Sequence, residues 1–117
     1  MNDSALNNYK IFDENPQFAL VKLGKSVLGG NEALHFTQML NEISTKNVKY
    51  VIVDLKQVET MNSSGMGMLV SGLTTLKKHN IEMQLVSVPS KVMYLLKMTH
   101  LNNVFKTFDS INDALIA

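Results

Sequence analysis

The sequence predicts a single α/β domain with a mixed, mostly parallel sheet, an N-terminal hairpin and about four helices. Stretches with strand composition alternate along the chain with stretches whose apolar residues recur every three or four positions, as in amphipathic helices. A short, uninterrupted, β-branched run, Tyr50 to Val53, is typical of a strand buried on both faces of a sheet. The chain has 117 residues, of which 45% are hydrophobic, and this is enough for one core.

The first part of the chain predicts a β-hairpin followed by a helix. Tyr9 to Asp13 and Phe18 to Leu23 have strand composition, and Glu14-Asn15-Pro16 between them is a turn signal. Residues 24–31 are expected to form a loop, and its last residue, Asn31, is a candidate helix cap. The apolar stripe of the helix that follows consists of Ala33, Phe36, Met39, Leu40 and Ile43.

The central part predicts a strand ending at Asp54, a short connection and a second helix that begins at Ser63 and Ser64. Met66 belongs to the apolar stripe of this helix. Two residues two positions apart do not share a helix face, so we expect Met68 to face outward. The complete predicted stripe is Met66, Leu69, Val70, Leu73 and Leu76.

The last part predicts two further strands and two further helices. Ile81 to Val88 alternates as a half-buried strand does, and Pro89 suits the opening of a third helix. Val104 to Phe108 has strand composition, and Asp109 is the candidate cap of a closing helix over residues 110–116. The stripe of the third helix is Val92, Leu95 and Leu96.

Composition excludes several classes of function. The sequence contains no cysteine, so disulfide frameworks, cysteine nucleophiles and thiolate metal sites are ruled out. A net charge of +1 offers no excess of cations for a nucleic acid backbone. The sequence has no apolar run long enough to span a membrane, and its start lacks the regions of a signal peptide. We therefore expect a cytoplasmic protein that binds neither nucleic acid nor membrane.

No motif of an enzyme is found. The three histidines, His35, His79 and His100, are far apart and in no ligand spacing. No Gly-rich phosphate loop is present, and Gly65-Met66-Gly67 lacks the third glycine of a dinucleotide-binding motif. No glycine stands two residues before Ser63 or Ser64, so neither is a nucleophile elbow. We expect no catalytic residue, no cofactor and no metal.

The start of the second helix is the most informative segment. Free N–H groups and the positive end of the helix dipole make a serine there a place where a phosphate is tolerated. The alternative is that Asn62 or Ser63 merely caps the helix. Gly65 and Gly67 each cost about 0.8–1 kcal/mol in a helix relative to alanine. This loss of stability is expected to be compensated by a close backbone approach, by packing of the helix against the sheet or by room for a partner.

These residues resemble a known family. The stretch Asp54-Leu55 … Asn62-Ser63-Ser64-Gly65-Met66-Gly67-Met68-Leu69 is similar to the signature of the STAS domain, in its bacterial anti-sigma-factor antagonist branch. That signature runs from a strand ending in Asp-Leu, through a loop, to Asp-Ser-Ser/Thr-Gly-Leu-Gly and a helix. Leu101 to Phe105 also matches the approach to the last strand of the family, so the resemblance covers nearly the whole chain. We expect a single domain over residues 1–117, with residues 1–8 loosely ordered.

The resemblance implies partner switching. The unmodified protein would bind an anti-sigma factor that is also a serine kinase, which frees the sigma factor. The kinase would then phosphorylate the antagonist, and a serine phosphatase would reset it. By position the phosphorylated residue is Ser63, with Ser64 as second choice. The implied partner-binding residues are Asn62, Ser63, Ser64, Gly65, Met66 and Met68.

Two departures keep alternatives open. Asn62 replaces the aspartate of the family, which removes a charge beside the acceptor serine and either eases phosphorylation or reflects a changed kinase. The stretch Gly24-Lys25-Ser26-Val27-Leu28 lacks the acidic residue common after this glycine. The alternatives are a STAS interaction or scaffold module without a phosphosite, or a small α/β enzyme or nucleotide binder. The latter requires a concave pocket with converging polar groups.

Overall fold

A computed structural model describes residues 9–117, so the expectation for residues 1–8 lies outside the described residues. The strands and helices follow the predicted α/β order. They are β1 (Tyr9–Ile11), β2 (Phe18–Lys22), β3 (Ser26–Val27), α1 (Asn31–Ile43), β4 (Tyr50–Asp54), β5 (Thr60–Met61), α2 (Ser63–Lys77), β6 (Glu82–Val86), α3 (Ser90–Met98), β7 (Lys106–Phe108) and α4 (Ile111–Ile116).

The main sheet has five strands in the order β1-β2-β4-β6-β7. Among the strands of residues 9–117 in this sheet, β1 runs antiparallel to its neighbour and the other pairs are parallel. The predicted hairpin and mostly parallel sheet are thus confirmed. The central strand is β4, in which Val51, Ile52 and Val53 are fully buried, as expected for a strand covered on both faces.

Two cores lie on opposite faces of this sheet. Helices α1, α2 and α3 pack on one face, with Leu40, Leu69 and Leu96 fully buried there. Helix α4 covers the other face, where Ala114 packs with residues of β2, β4 and β6. Since α2 and α3 both follow parallel strands and lie on the same face, both helices begin at the carboxyl edge of the sheet.

The second core corrects the expectation that the strand after α2 is half-buried. Gln84 lies on the side predicted to face solvent, yet it is only 4% exposed. The reason is that α4 packs against β4, β6 and β7 on that side. Alternation along a strand cannot show that a short helix far along the chain will cover its polar face.

Several boundaries also differ from the predictions. The loop and connection that were expected around residues 26 and 60 contain β3 and β5, which pair in parallel as a separate two-stranded ribbon. The cap of α1 is Gly30, with φ 66°, and Asn31 is the first helical residue. Ser110, not Asp109, caps α4, where its Oγ accepts a hydrogen bond from the N–H of Asp113 at 3.1 Å.

Tyr9 joins the hairpin to α1. Its hydroxyl donates a hydrogen bond to Glu42 Oε2 at 2.7 Å. The pKa of Tyr9 is raised from 10.0 to about 12. Partial burial is the largest cause, and the hydrogen bond to the Glu42 carboxylate and the negative charge of that carboxylate add to it. The protonated phenol is therefore favoured more strongly in the folded chain than in the unfolded chain.

The stability of the protein should depend on Tyr9 at alkaline pH. Because the folded pKa is the higher one, this contribution is complete below pH 10.0 and is lost as the pH rises toward about 12. We expect Tyr9→Phe to flatten the fall in unfolding free energy over that range, as measured by urea denaturation. Tyr94→Phe, which removes an exposed tyrosine, is the control, and equal slopes for both variants would contradict the assignment.

Candidate functional site

The start of α2 is formed by Asn62, which caps the helix. Its backbone is extended (φ −109°, ψ −176°), and its side-chain Oδ1 accepts a hydrogen bond from the N–H of Gly65 at 2.8 Å. Such a cap contributes about 1 kcal/mol. The interpretation of Asn62 as a capping residue is confirmed. Since Asn62 supplies the cap, the hydroxyl of Ser63 is not needed for that role.

Ser63 and Ser64 are both exposed but have different surroundings. Ser64 lies against the loop before α1, where a Cβ added to Gly29 would come within 2.9 Å of the Ser64 Cβ. Gly29 also has a φ of +87°, which favours glycine. Ser63 instead lines a groove between α2 and α3. Both residues are therefore exposed to solvent, and of the two Ser63 borders this groove.

Gly65 is required by a close backbone approach. A Cβ at this position would lie 1.9 Å from the carbonyl oxygen of Val27, in β3. No conformational change of a side chain relieves a clash with backbone. The predicted close approach is thus confirmed for Gly65, and it fixes the first turn of α2 against the β3–β5 ribbon.

Gly67 has the opposite surroundings. It is exposed, and a Cβ added there would meet no atom of residues 9–117 within 4 Å. Neither packing nor a positive φ requires glycine at this position. The helix nevertheless carries a residue that destabilises it by about 0.8–1 kcal/mol relative to alanine. Of the compensations considered from the sequence, a close backbone approach and packing against the sheet are both absent at Gly67 among the described residues.

The expectation that Met68 faces outward is wrong. Met68 is only 5% exposed and belongs to the main core, where it lines a small cavity with Phe36 and Met39 of α1. The reason is that α1 packs along α2 and covers that side as well. Met66 is 3% exposed, as its place in the apolar stripe predicted. Gly65, Met66 and Met68 are thus buried, whereas Asn62, Ser63 and Ser64 are exposed.

An apolar groove of about 580 Å³ separates α2 from α3 and begins at Ser63. We call it the α2–α3 groove and define it by Ser63, Gly67, Val70 and Ser71 on α2, Leu95 on α3 and Thr99, which caps the end of α3. The α3 side of the groove was not predicted, because Leu95 belongs to the apolar stripe of the third helix and was expected to be buried. In the structure Leu95 is half-buried, and so is Val70, so both remain partly available to a partner.

A second concave site lies near the carboxyl ends of the strands. This cavity of about 590 Å³ is lined by polar groups that include Lys22, Lys56 and Ser110. Asp54 also lines it, and its Oδ1 accepts a hydrogen bond from the N–H of Lys56 at 2.9 Å. This edge of the sheet therefore carries a concave site with several polar lining residues, which is one feature that the nucleotide-binder alternative requires.

Residues 9–117 contain neither a candidate metal site nor a candidate membrane-spanning helix. No group of three or more histidine, aspartate and glutamate side chains in this range is placed to hold a metal ion. His35 lies in α1, whereas His79 and His100 follow α2 and α3. No helix in the same range is both long and apolar enough to cross a membrane.

The fold and the helix start define a STAS domain. The model of this family matches residues 9–114, and the chain belongs to the STAS domain family. The chain is 26% identical over 107 residues to a Thermotoga maritima protein named "Putative anti-sigma factor antagonist", and the match covers 92% of each chain. The crystal structure of an antagonist so described from that organism superposes with a TM-score of 0.75, over 92% of this chain and 89% of the other.

Two structures of the anti-sigma factor antagonist SpoIIAA have the same fold. The unphosphorylated form has a TM-score of 0.67 at 11% identity and covers 92% of this chain and 94% of its own. The phosphorylated form, described as a Bacillus cell fate determinant, has a TM-score of 0.68 at 12% identity and covers 92% and 96%. At these identities the similarity concerns the fold alone.

Proposed function

We propose that this STAS domain is an anti-sigma factor antagonist that is switched by phosphorylation of Ser63. The observation that carries the proposal is the exposed serine at the first position of α2, next to a cap supplied by Asn62. The Thermotoga relative supports the class of protein, since its name is that of an antagonist and the match spans most of both chains. SpoIIAA, which shares the fold, has been solved in an unphosphorylated and a phosphorylated form.

The chain would be the substrate of a serine kinase and not itself an enzyme. The Ser63 hydroxyl would attack the γ-phosphorus of ATP held by the kinase, ADP would leave, and a base of the kinase would take the hydroxyl proton. The product carries about −1.5 to −2 charges at pH 7, next to N–H groups at the start of α2. Asn62 is neutral, so no carboxylate at the cap repels the new charge.

Release of the partner follows from local electrostatics without a change of fold. Two partners are implied, both in the cytoplasm. The first is an anti-sigma factor that is also a serine kinase, and the second is a separate serine phosphatase. A complete switch from 99:1 to 1:99 needs about 5.5 kcal/mol of differential binding. A dianion buried without a partner in an interface costs several kcal/mol through desolvation and repulsion. The free-energy cost of one phosphate in the contact surface is therefore large enough to control binding of the partner.

The test begins with capture of the anti-sigma factor from the source cells by the tagged chain and identification by mass spectrometry. Incubation of the purified pair with ATP should place one phosphate on Ser63. We expect Ser63→Asp to weaken the complex at least tenfold in calorimetry, because it places a negative charge in the contact surface. Ser63→Ala should bind like the unmodified chain and should no longer be phosphorylated.

The control is Gln38→Glu, which adds the same charge on the exposed side of α1 and should leave the affinity unchanged. Phosphate on Ser64 alone would move the switch to the second-choice residue. If neither serine is modified and Ser63→Asp binds normally, the proposal of a switch fails. That result would favour the alternative, a STAS interaction or scaffold module without a phosphosite.

A further inference from the structure

The α2–α3 groove is apolar and unoccupied by side chains of the described residues, and exposed apolar side chains continue it outward. Val70 and Leu95 are half-buried on its two sides. Beyond Leu95 on the outer face of α3, Tyr94 is 66% exposed and Met98 is 61% exposed. Met98 follows Leu95 by three residues and Tyr94 by four, so these side chains are neighbours on the helix. Large exposed apolar patches are typical of interaction sites.

The part of the chain that forms the groove is basic. Between Thr60 and Phe108 the only acidic residue is Glu82, and its Oε1 lies 3.9 Å from Lys106 Nζ. The same span carries four further lysines, namely Lys77, Lys78, Lys91 and Lys97. The whole chain has a net charge of only +1, so the positive charge is concentrated in this part and the remainder is acidic on balance. An occupant with negative charge is favoured.

Two of these lysines stand at the two ends of the groove. Lys91 precedes Leu95 by four residues and Lys78 follows Ser71 by seven, so each lies on the same side of its helix as a lining residue. Since α2 and α3 both begin at the carboxyl edge of the sheet, Lys91 lies toward the Ser63 end. Lys78, just after α2, lies toward the opposite end.

We propose that the α2–α3 groove docks an acidic amphipathic helix of a protein partner. The apolar face of that helix would pack on Val70 and Leu95, and its carboxylates would flank the groove near Lys91 and Lys78. A groove between two helices accepts a third helix in this way. At Gly67 the groove leaves free the space of a Cβ, so the backbone of the incoming helix can approach closely.

Other occupants fit the groove less well. A second copy of this chain, docked by the same face, would bring the same lysines together. Nucleic acid requires a surface that tracks phosphates, and this groove has an apolar lining. An acidic helix satisfies both the apolar lining and the surrounding charge.

The chemistry of the occupant sets the direction of the proposed switch, and only this step rests on the proposed function. Ser63 lines the end of the groove. A phosphate there repels an acidic helix and would attract a basic one. Phosphorylation therefore releases the partner if the partner is acidic.

The test uses two synthetic stapled helical peptides with the same leucine stripe, one flanked by glutamates and the other by lysines. The ¹⁵N-labelled chain is titrated with each peptide, without kinase or ATP. We expect the glutamate peptide to bind at least tenfold more tightly and to shift the amide signals of Gly67, Ser71 and Thr99. Lys91→Glu and Lys78→Glu should each weaken it several-fold, and added salt should do the same.

Lys10→Glu is the matched control, because Lys10 is exposed on β1 at the far edge of the sheet. The affinity of this variant for the glutamate peptide should equal that of the unchanged chain. Equal or tighter binding of the lysine peptide overturns the proposal. So does the absence of shifts in the groove with either peptide. The proposal is also overturned if the glutamate peptide does not bind and the chain instead binds phosphatidylglycerol vesicles or double-stranded DNA, with this binding lost in Lys91→Glu. These failures leave phosphorylation of Ser63 untouched, so the two proposals are tested separately.

Discussion

Gly65→Ala is expected to destabilise the protein by about 3 kcal/mol, at the upper end of the range for overpacking. The added Cβ would lie 1.9 Å from the Val27 carbonyl oxygen and 2.8 Å from its carbon. Both atoms are backbone, so either β3 moves away or the first turn of α2 moves. In both cases the cap that joins Asn62 to residue 65 is distorted.

Urea denaturation of purified variants measures this effect, and Gly67→Ala is the matched control two residues further along the same helix. We expect Gly67→Ala to stabilise the protein by about 0.8–1 kcal/mol, because its Cβ meets no atom within 4 Å among the described residues. The two substitutions thus have opposite signs. A loss below about 1 kcal/mol for Gly65→Ala, or a loss for Gly67→Ala, would contradict the packing at the start of α2.

The sequence predicts the elements of this fold well where a period extends over several turns. The four-residue rows of α1 and the uninterrupted apolar run of β4 identify these elements, since each buries one continuous surface. The β3–β5 ribbon was missed because two-residue strands contain no period. The one trace of the ribbon in the sequence is Gly65, because the absence of a side chain at this position makes room for the backbone of Val27.

The candidate site was predicted only in part, because the sequence shows local properties and not contacts between distant elements. A cap and an exposed serine are local properties, so Asn62 and Ser63 are found from their positions at the start of a helix. Burial of Met68 depends on α1, which is distant in sequence, and a stripe on one helix does not show how many neighbours it has. The α3 side of the groove was missed for the same reason, because Leu95 looks like a core residue until the packing of α2 and α3 is known.

Met68→Ala should destabilise the protein by about 3 kcal/mol, within the range of about 2–5 kcal/mol for truncation of a buried methionine. Met68 is 5% exposed and lines a cavity with Phe36 and Met39, so truncation enlarges an existing void between α1 and α2. Met98→Ala is the control, since Met98 is 61% exposed and its removal should change the unfolding free energy by less than about 0.5 kcal/mol.

The same pair of variants separates a core methionine from one that contacts a partner. If Met68 belongs to the core, Met68→Ala lowers the urea midpoint, and the folded variant still binds the anti-sigma factor with unchanged affinity under stabilising conditions. Met98→Ala should behave in the opposite way, with normal stability and weaker binding, because Met98 extends the apolar surface of the α2–α3 groove. A stable Met68→Ala variant with weakened binding would instead assign Met68 to the docking surface, as the family resemblance implies.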